Sequence, residues 1–296
     1  MKKLMIIGAG GQLGTELQRQ LAKGSCALGA IPSELAGAQV LALDVAQLDI
    51  TDRGAVERCL LAEKPDAVIN CAAYTNVNGC ESNQQAAFAV NAVGARNLAM
   101  ACEKTGAKLV HVSTDYVFPG EGTDIPYSEY DLPAPQSVYG KTKWAGEEYV
   151  RTLCSRYFIV RTAWLYGLAG SNFVKTILGA AKKNGAVTVV SDQLGNPTNA
   201  EDLAFHLLLL CCTEEYGIYH CTNEGICSWY DFTCEILRLA GVDAKASPCT
   251  TEEYPTPAKR PAFSALENRM LAATVGNHMR SWQEALQGFF QEYKED

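Results

Sequence analysis

A tyrosine and a lysine four residues apart, Tyr139 and Lys143 in YGKTK, can share one face of a helix and meet one ligand. A free tyrosine titrates at about 10, too high to exchange protons at neutral pH. A lysine held beside it, together with a positively charged ligand ring, would favour the phenolate and bring that value down. The same lysine could hydrogen-bond the hydroxyls of a bound sugar. Y-x-x-x-K is also common by chance, and its plain reading is two surface residues on one helix. Which reading holds depends on what lies upstream.

Upstream, the run KLVHVS (108–113) ends in Ser113 and Thr114. In open α/β sheets ligands bind beyond the carboxyl ends of the strands, so a hydroxyl here could bond a substrate carbonyl and place it against Tyr139. The plain alternative is a Ser/Thr turn closing the strand. Further upstream, GAGGQLG follows the first aliphatic run and opens a helical pattern. Gly8, Gly11 and Gly14 form G-x-x-G-x-x-G, with Gln12 and Leu13 between the last two. Glycines here let backbone approach a pyrophosphate, whose charge the helix N-terminus stabilises.

The elements that must carry these groups alternate. Aliphatic runs at 4–8, 40–43, 67–70, 108–113, 158–162 and 187–190 read as buried strands. Helix-period patterns cover 12–23, 52–64, 82–105, 139–154 and 172–184, with Ser82 and Gln85 as a capping box for the third. This alternation predicts a Rossmann-like, doubly wound parallel sheet. Residues 1–165 are expected to form the dinucleotide-binding domain. Residues 166–296 are expected to form mainly a smaller substrate-binding lobe, with helices near 200–212 and 228–240, a proline-rich loop at 250–266, and a last helix capped by Ser281 and Glu284. Segments of this half should return to the sheet.

An acidic residue bonding the adenosine ribose is expected about 20 residues after the glycines. Asp44 follows the second strand and comes later than that, a delay accounted for by a polar insertion at 24–39. Asp49 and Ile50 are placed to contact adenine, although Thr51 or Asp52 could simply cap the second helix. Asp44 would repel a 2′-phosphate, and no arginine lies between 40 and 52. NADPH and NADH both stay open.

The chain has 296 residues and a formal net charge of −8, which argues against nucleic acid or an anionic membrane as partner. A few arginines could still hold a phosphate. The opening MKKLMIIGAGGQLG lacks a long apolar core and a small-residue cleavage site, and no apolar run reaches a membrane span. A cytoplasmic protein is expected. Twelve cysteines without a C-x-x-C fit buried free thiols. Cys211, Cys212, Cys221, Cys227 and Cys234 with His220 match no zinc spacing.

The glycines with Tyr139 and Lys143 resemble the extended short-chain dehydrogenase/reductase superfamily. More closely, NCAAYTNV, STDYVFPG, YGKTKWAGE, RTAWLYG, NFVKTIL, VVSDQLGNPT and RPAFSAL resemble the dTDP-4-dehydrorhamnose reductase family, in family order and over most of the chain. The resemblance implies reduction of the 4-keto group of dTDP-4-dehydro-6-deoxy-L-mannose, with hydride from NADPH or NADH and a proton from Tyr139. Lys143 would tune that tyrosine and Thr114, rather than Ser113, would bond the carbonyl. Ala72, Ala73 and Tyr74 would line the cofactor. Trp164 and Asn172 would hold the sugar nucleotide and Arg260 its diphosphate, although Lys175, Lys259 and Arg260 could equally be solvated charges and Trp164 core. Some relatives dimerise through Mg²⁺, which makes Glu16, Glu201 and Asp202 metal candidates and a homodimer possible; carboxylates at helix starts need no metal.

This chain departs from the family pattern at Asn78, where an aspartate is usual, and in the 24–39 insertion, both expected on the cofactor side. Two rivals remain: another extended short-chain sugar-nucleotide epimerase or dehydratase, which would keep bound NAD, and a non-catalytic nucleotide-binding regulatory subunit. STDYVF favours the reductase over the first. An intact Thr114, Tyr139 and Lys143 favours an enzyme over the second.

Overall fold

The computed structural model describes residues 1–121 and 124–294. Six strands form one parallel sheet in the order Gly217–His220, Tyr157–Thr162, Lys108–Thr114, Ala67–Asn70, Lys3–Ile7, Gln39–Leu43. The chain winds outward from Lys3–Ile7 to Gln39–Leu43, then crosses back to build the rest. A crevice therefore opens beyond the carboxyl ends of Lys3–Ile7 and Ala67–Asn70, where the winding reverses.

Strand alternation explains both faces. Leu4 and Ile6 join one core with Leu13, Leu17, Leu203 and Leu207, from helices Gln12–Lys23 and Ala200–Cys211. Met5 and Ile7 join the other with Val56, Leu60, Leu98 and Val150, from Arg53–Glu63, Ala95–Thr105 and Val138–Leu153. Successive side chains point to opposite faces, so a run that is aliphatic throughout is buried on both.

The strand expected at 187–190 is real but lies outside this sheet. Ala186–Val190 pairs in parallel with Lys245–Cys249, and its residues alternate between exposed and buried. One face meets solvent, and the other packs on helices Phe173–Asn184, Trp229–Ala240 and Trp282–Glu292, the lobe's core. Gly217–His220 is the sixth sheet strand instead, and helix Ala200–Cys211 also lies against the sheet. Ser281 and Glu284 form the expected capping box.

Two local expectations are corrected. The helix read at 82–105 breaks at Asn83: Val77–Ser82 is a separate turn capped by Asn76, and the Ser82 hydroxyl donates back to Gly79 O. Beyond Asn83 the chain runs through Gln84–Phe88, a π-helical turn at Ala89–Gly94, and Ala95–Thr105. The 24–39 insertion folds as a hairpin, Ser25–Cys26 with Gly29–Ala30, at the far end of the first helix. Ala27 N donates to Glu201 Oε1 and the Met1 amino group to Glu34 O, so it sits away from the glycine turn. All twelve cysteines are free and Cys234 is exposed. Among the described residues no helix is long and apolar enough to cross a membrane.

Candidate active site

Helix Val138–Leu153 begins at Ser137, whose Oγ accepts from Gly140 N (3.1 Å). Tyr139 and Lys143 therefore occupy successive turns of one face. Lys143 is 2% exposed, and its Nζ donates to Val112 O (2.7 Å) on the strand that ends in Thr114. The lysine thus ties the helix to the strand carrying the hydroxyl. Burial lowers its pKa to about 8, against the opposing pull of the Glu147 carboxylate.

The tyrosine behaves differently from the sequence expectation. Burial, and then the Asp115 carboxylate, push its phenol above the usual value, while a hydrogen bond with Thr114 works the other way. A protonated phenol is what a proton donor needs. Tyr116 packs edge-on against Tyr139, with centroids 5.5 Å apart.

Thr114 lies at the strand end, where its Oγ1 donates to Asp115 Oδ1 (2.9 Å) and accepts from Tyr116 N (3.3 Å). Ser113 faces inward, and its buried hydroxyl has no partner among the described residues. Asp115 is 2% exposed, and burial raises its carboxyl pKa to about 6, opposed by hydrogen bonds including those from Ser264 and Thr114. A carboxyl raised in this way costs the fold stability above about pH 6. The cost fades as pH falls toward the unfolded value near 4, because the folded state then holds its proton more tightly. Asp115→Asn is therefore expected to raise stability at pH 8 by on the order of 2 kcal/mol and by about half as much at pH 5. Urea midpoints at the two pH values check this; an equal shift at both would sink it.

The glycine turn has the build of a phosphate cradle. Gly8 has φ +75°, and a Cβ there would lie 2.7 Å from Ala72 N; a Cβ on Gly14 would lie 2.3 Å from Gly8 O. No side chain caps the helix it opens, whose first turn holds no acid, so the helix N-terminus is open to an anion. A dinucleotide fits this set. Asp44 Oδ2 accepts from Gly10 N (3.0 Å) and Oδ1 from Val45 N (2.7 Å), which places the carboxylate on the turn itself. Asp49 Oδ1 accepts from Thr51 N and Oγ1, Asp52 caps the second helix, and Ile50 is buried in the core. Ala72 and Ala73 leave the third strand beside Gly8.

Tyr74 is held by a residue no sequence pattern singled out. Asn91, in the π turn, accepts from Tyr74 N (2.8 Å) and donates to Tyr74 O (3.2 Å) and Thr142 Oγ1 (3.1 Å). It joins the 71–75 segment to the helix of Tyr139 and Lys143. Single π turns recur at functional sites, but nothing in the residue types announces one.

The other candidates fall on both sides of the crevice. Asn172 caps helix Phe173–Asn184 and donates to Gln12 Oε1 (3.1 Å) and Gly167 O (2.8 Å), linking lobe to glycine turn. Arg260 donates to Tyr116 OH (2.8 Å) and to Asn78 Oδ1 (3.1 Å), so the departure at Asn78 meets the phosphate candidate. Lys175 donates to Leu168 O and Lys259 pairs with Glu121. Trp164 stacks on Trp229. The Mg²⁺ candidates do not form a metal site: Arg19 pairs with Glu16 and Glu201, and Arg280 with Glu201 and Asp202. No group of three metal-ligating side chains occurs among the described residues. Guanidinium groups supply the counter-charge there.

A doubly wound parallel sheet with a glycine turn on its first strand and a Tyr–Lys pair facing the end of its fourth is the build of a short-chain dehydrogenase/reductase. The comparisons narrow this. The RmlD substrate binding domain family matches residues 1–295. The chain is 42% identical over 292 residues to the spore coat polysaccharide biosynthesis protein SpsK of Bacillus subtilis (strain 168), covering 99% of this chain and 98% of that one. It is 42% identical over 291 residues to the dTDP-4-dehydrorhamnose reductase of Mycobacterium tuberculosis (strain ATCC 25618 / H37Rv), covering 96% and 91%. The crystal structure of a dTDP-4-dehydrorhamnose reductase from Clostridium acetobutylicum ATCC 824 superposes with a TM-score of 0.92 at 48% identity, covering 98% of each chain. That of the Bacillus anthracis str. Ames enzyme in complex with NADP gives 0.91 at 41%, covering 99% and 100%. The chain belongs to the dTDP-4-dehydrorhamnose reductase family.

Proposed function

We propose that this chain reduces the 4-keto group of dTDP-4-dehydro-L-rhamnose to give dTDP-L-rhamnose, with NADPH or NADH as reductant. The observation that carries this is the meeting of Thr114, Tyr139 and Lys143 at the carboxyl end of the fourth strand, with the tyrosine kept protonated. The turn of Gly8, Gly11 and Gly14 and the 71–75 segment would hold the reduced dinucleotide, which supplies the hydride. Thr114 turns its hydroxyl proton from Asp115 Oδ1 to the 4-keto oxygen and fixes it beside Tyr139. Tyr139 gives its phenolic proton to that oxygen as negative charge develops on it. Lys143, fixed on Val112 O, provides positive charge that stabilises the phenolate left behind. Arg260 supplies a bidentate fork suited to the diphosphate.

The test mixes purified protein with dTDP-4-dehydro-L-rhamnose and either NADPH or NADH, and tracks reduced-nicotinamide absorbance. Stoichiometric oxidation supports the reading, and the two rates rank the cofactors. No oxidation by protein that binds the cofactor would remove it. Copurified NAD would then point to an epimerase-like enzyme, and its absence to a regulatory binder.

A further inference from the structure

Trp164 stands two residues beyond Thr162, the register partner of Thr114. It therefore lies at the same end of the sheet as the reacting groups. Its backbone is left-handed, with φ +47°, a conformation that a bulky residue adopts only when its surroundings impose it. Those surroundings are visible. Trp164 O accepts from Thr198 N (3.2 Å). Its indole stacks on Trp229 with centroids 3.5 Å apart and 6° between planes. Gly195 also backs onto this ring: a Cβ there would lie 2.8 Å from Trp164 Cε2.

Trp229 is itself fixed from two directions. It is the first residue of helix Trp229–Ala240, behind the capping box of Ser228 and Asp231. Its ring lies 4.3 Å from that of Phe173, the first residue of the helix that Asn172 ties to the glycine turn. Trp164 is only partly buried, so the clamped indole keeps surface free for a ligand.

We propose that Trp229 is a positioning residue for the sugar nucleotide, holding the Trp164 indole in its strained setting as a wall of the substrate site. The proposal rests on the reductase reading, which places Trp164 at the substrate. Trp229 acts through Trp164 and takes no part in proton transfer.

The test compares Trp229→Leu and Trp229→Phe with the wild type. Two indoles stacked this closely give an exciton couplet in far-ultraviolet circular dichroism, which reports the stack without turnover. Both variants should lose the couplet. Trp229→Leu should raise KM for the dTDP-sugar about fivefold, the weight of one aromatic pair, with kcat and KM for NADPH unchanged. Trp229→Phe, which keeps a flat ring against Trp164, should recover most of the lost KM. A lost couplet with unchanged sugar KM overturns the proposal and leaves the reductase standing. So does a parallel change in kcat and both KM values, the mark of general damage. A wild type that oxidises no cofactor removes the reductase reading, and this proposal with it.

Discussion

Tyr139→Phe is expected to lower kcat by about 10²–10⁴-fold, the usual worth of a positioned proton donor, with little change in KM for either substrate. The hydroxyl is the only atom removed, and the ring keeps its edge-on contact with Tyr116. Ketone reduction needs the phenol protonated before reaction. Burial and the Asp115 carboxylate hold it in that state by raising its pKa. A raised value also fixes the sign of the pH dependence: phenol ionisation should not depress the reductive rate between pH 7 and 9, so a fall through about pH 8 would report loss of the Lys143 charge. Steady-state oxidation of NADPH with the dTDP-sugar measures both. A variant retaining more than about a tenth of wild-type kcat would exclude Tyr139 as the donor, because that loss is too small for general acid catalysis.

Glu147→Ala is expected to cost about 3–5 kcal/mol of stability, the range for removing one member of a buried ion pair. Glu147 sits one turn beyond Lys143 and receives Arg161 through Nη2–Oε2 at 2.7 Å and Nε–Oε1 at 3.0 Å, with both side chains 3% exposed. Without the carboxylate the guanidinium stays buried over the Phe118 ring, 5.0 Å from its centroid. Its other hydrogen-bond partner, His220, cannot replace the charge, and the Glu129 carboxylate, which also feels Arg161, makes no hydrogen bond to it. His220 Nδ1 faces Tyr127 O (3.1 Å) and so carries the ring proton, which leaves Nε2 to accept from Arg161 Nη1 at 3.5 Å. Burial, then Arg161, drive the His220 pKa down to about 3. Replacing Glu147 and Arg161 together by leucine should recover most of the loss, since no lone charge remains. Urea midpoints of the single and double variants decide; a single-variant loss below about 1 kcal/mol would contradict the argument.

Much of the site could be read from residue types because its physics is local. Glycine spacing before a helix and a four-residue Tyr–Lys interval each refer to one element, and four of the first five sheet strands are aliphatic enough to be buried on both faces. The strand expected to be buried at 40–43 is the sheet edge, Gln39–Leu43, with no buried residue. What escaped depends on distant partners. VTVV and GIYH do not reveal which joins the sheet: the first is half-exposed, while the second buries Tyr219 and His220 through contacts made from other segments. The Ser82 box failed because Asn76 caps the turn that contains Ser82, and Asn83 breaks the helix after it with its side chain turned back to Gly79 O. The direction of the Tyr139 shift turned on how deeply the fold buries the phenol, and then on the neighbouring Asp115 carboxylate, neither of which the Tyr–Lys spacing shows. Asn91 and Trp229 had no local signature at all.

The π turn at Ala89–Gly94 has a consequence for how the chain can change in length. Such a turn accommodates one more residue than a regular helix would, and each residue rotates the rest of the helix by about 100°. Deleting one of the six would restore ordinary helix and leave Ala95, Leu98, Ala99 and Cys102 in nearly the same phase on the second core, because the wide turn absorbs the extra residue. It would draw Asn91 away from Tyr74. The hairpin Ser25–Ala30 touches neither the glycine turn nor the sheet, so residues can be gained or lost at its tip at smaller cost than at Leu35 behind it, which belongs to the first core. The extra residue of the π turn is therefore tied to the grip on Tyr74 more than to the packing of the helix that follows it.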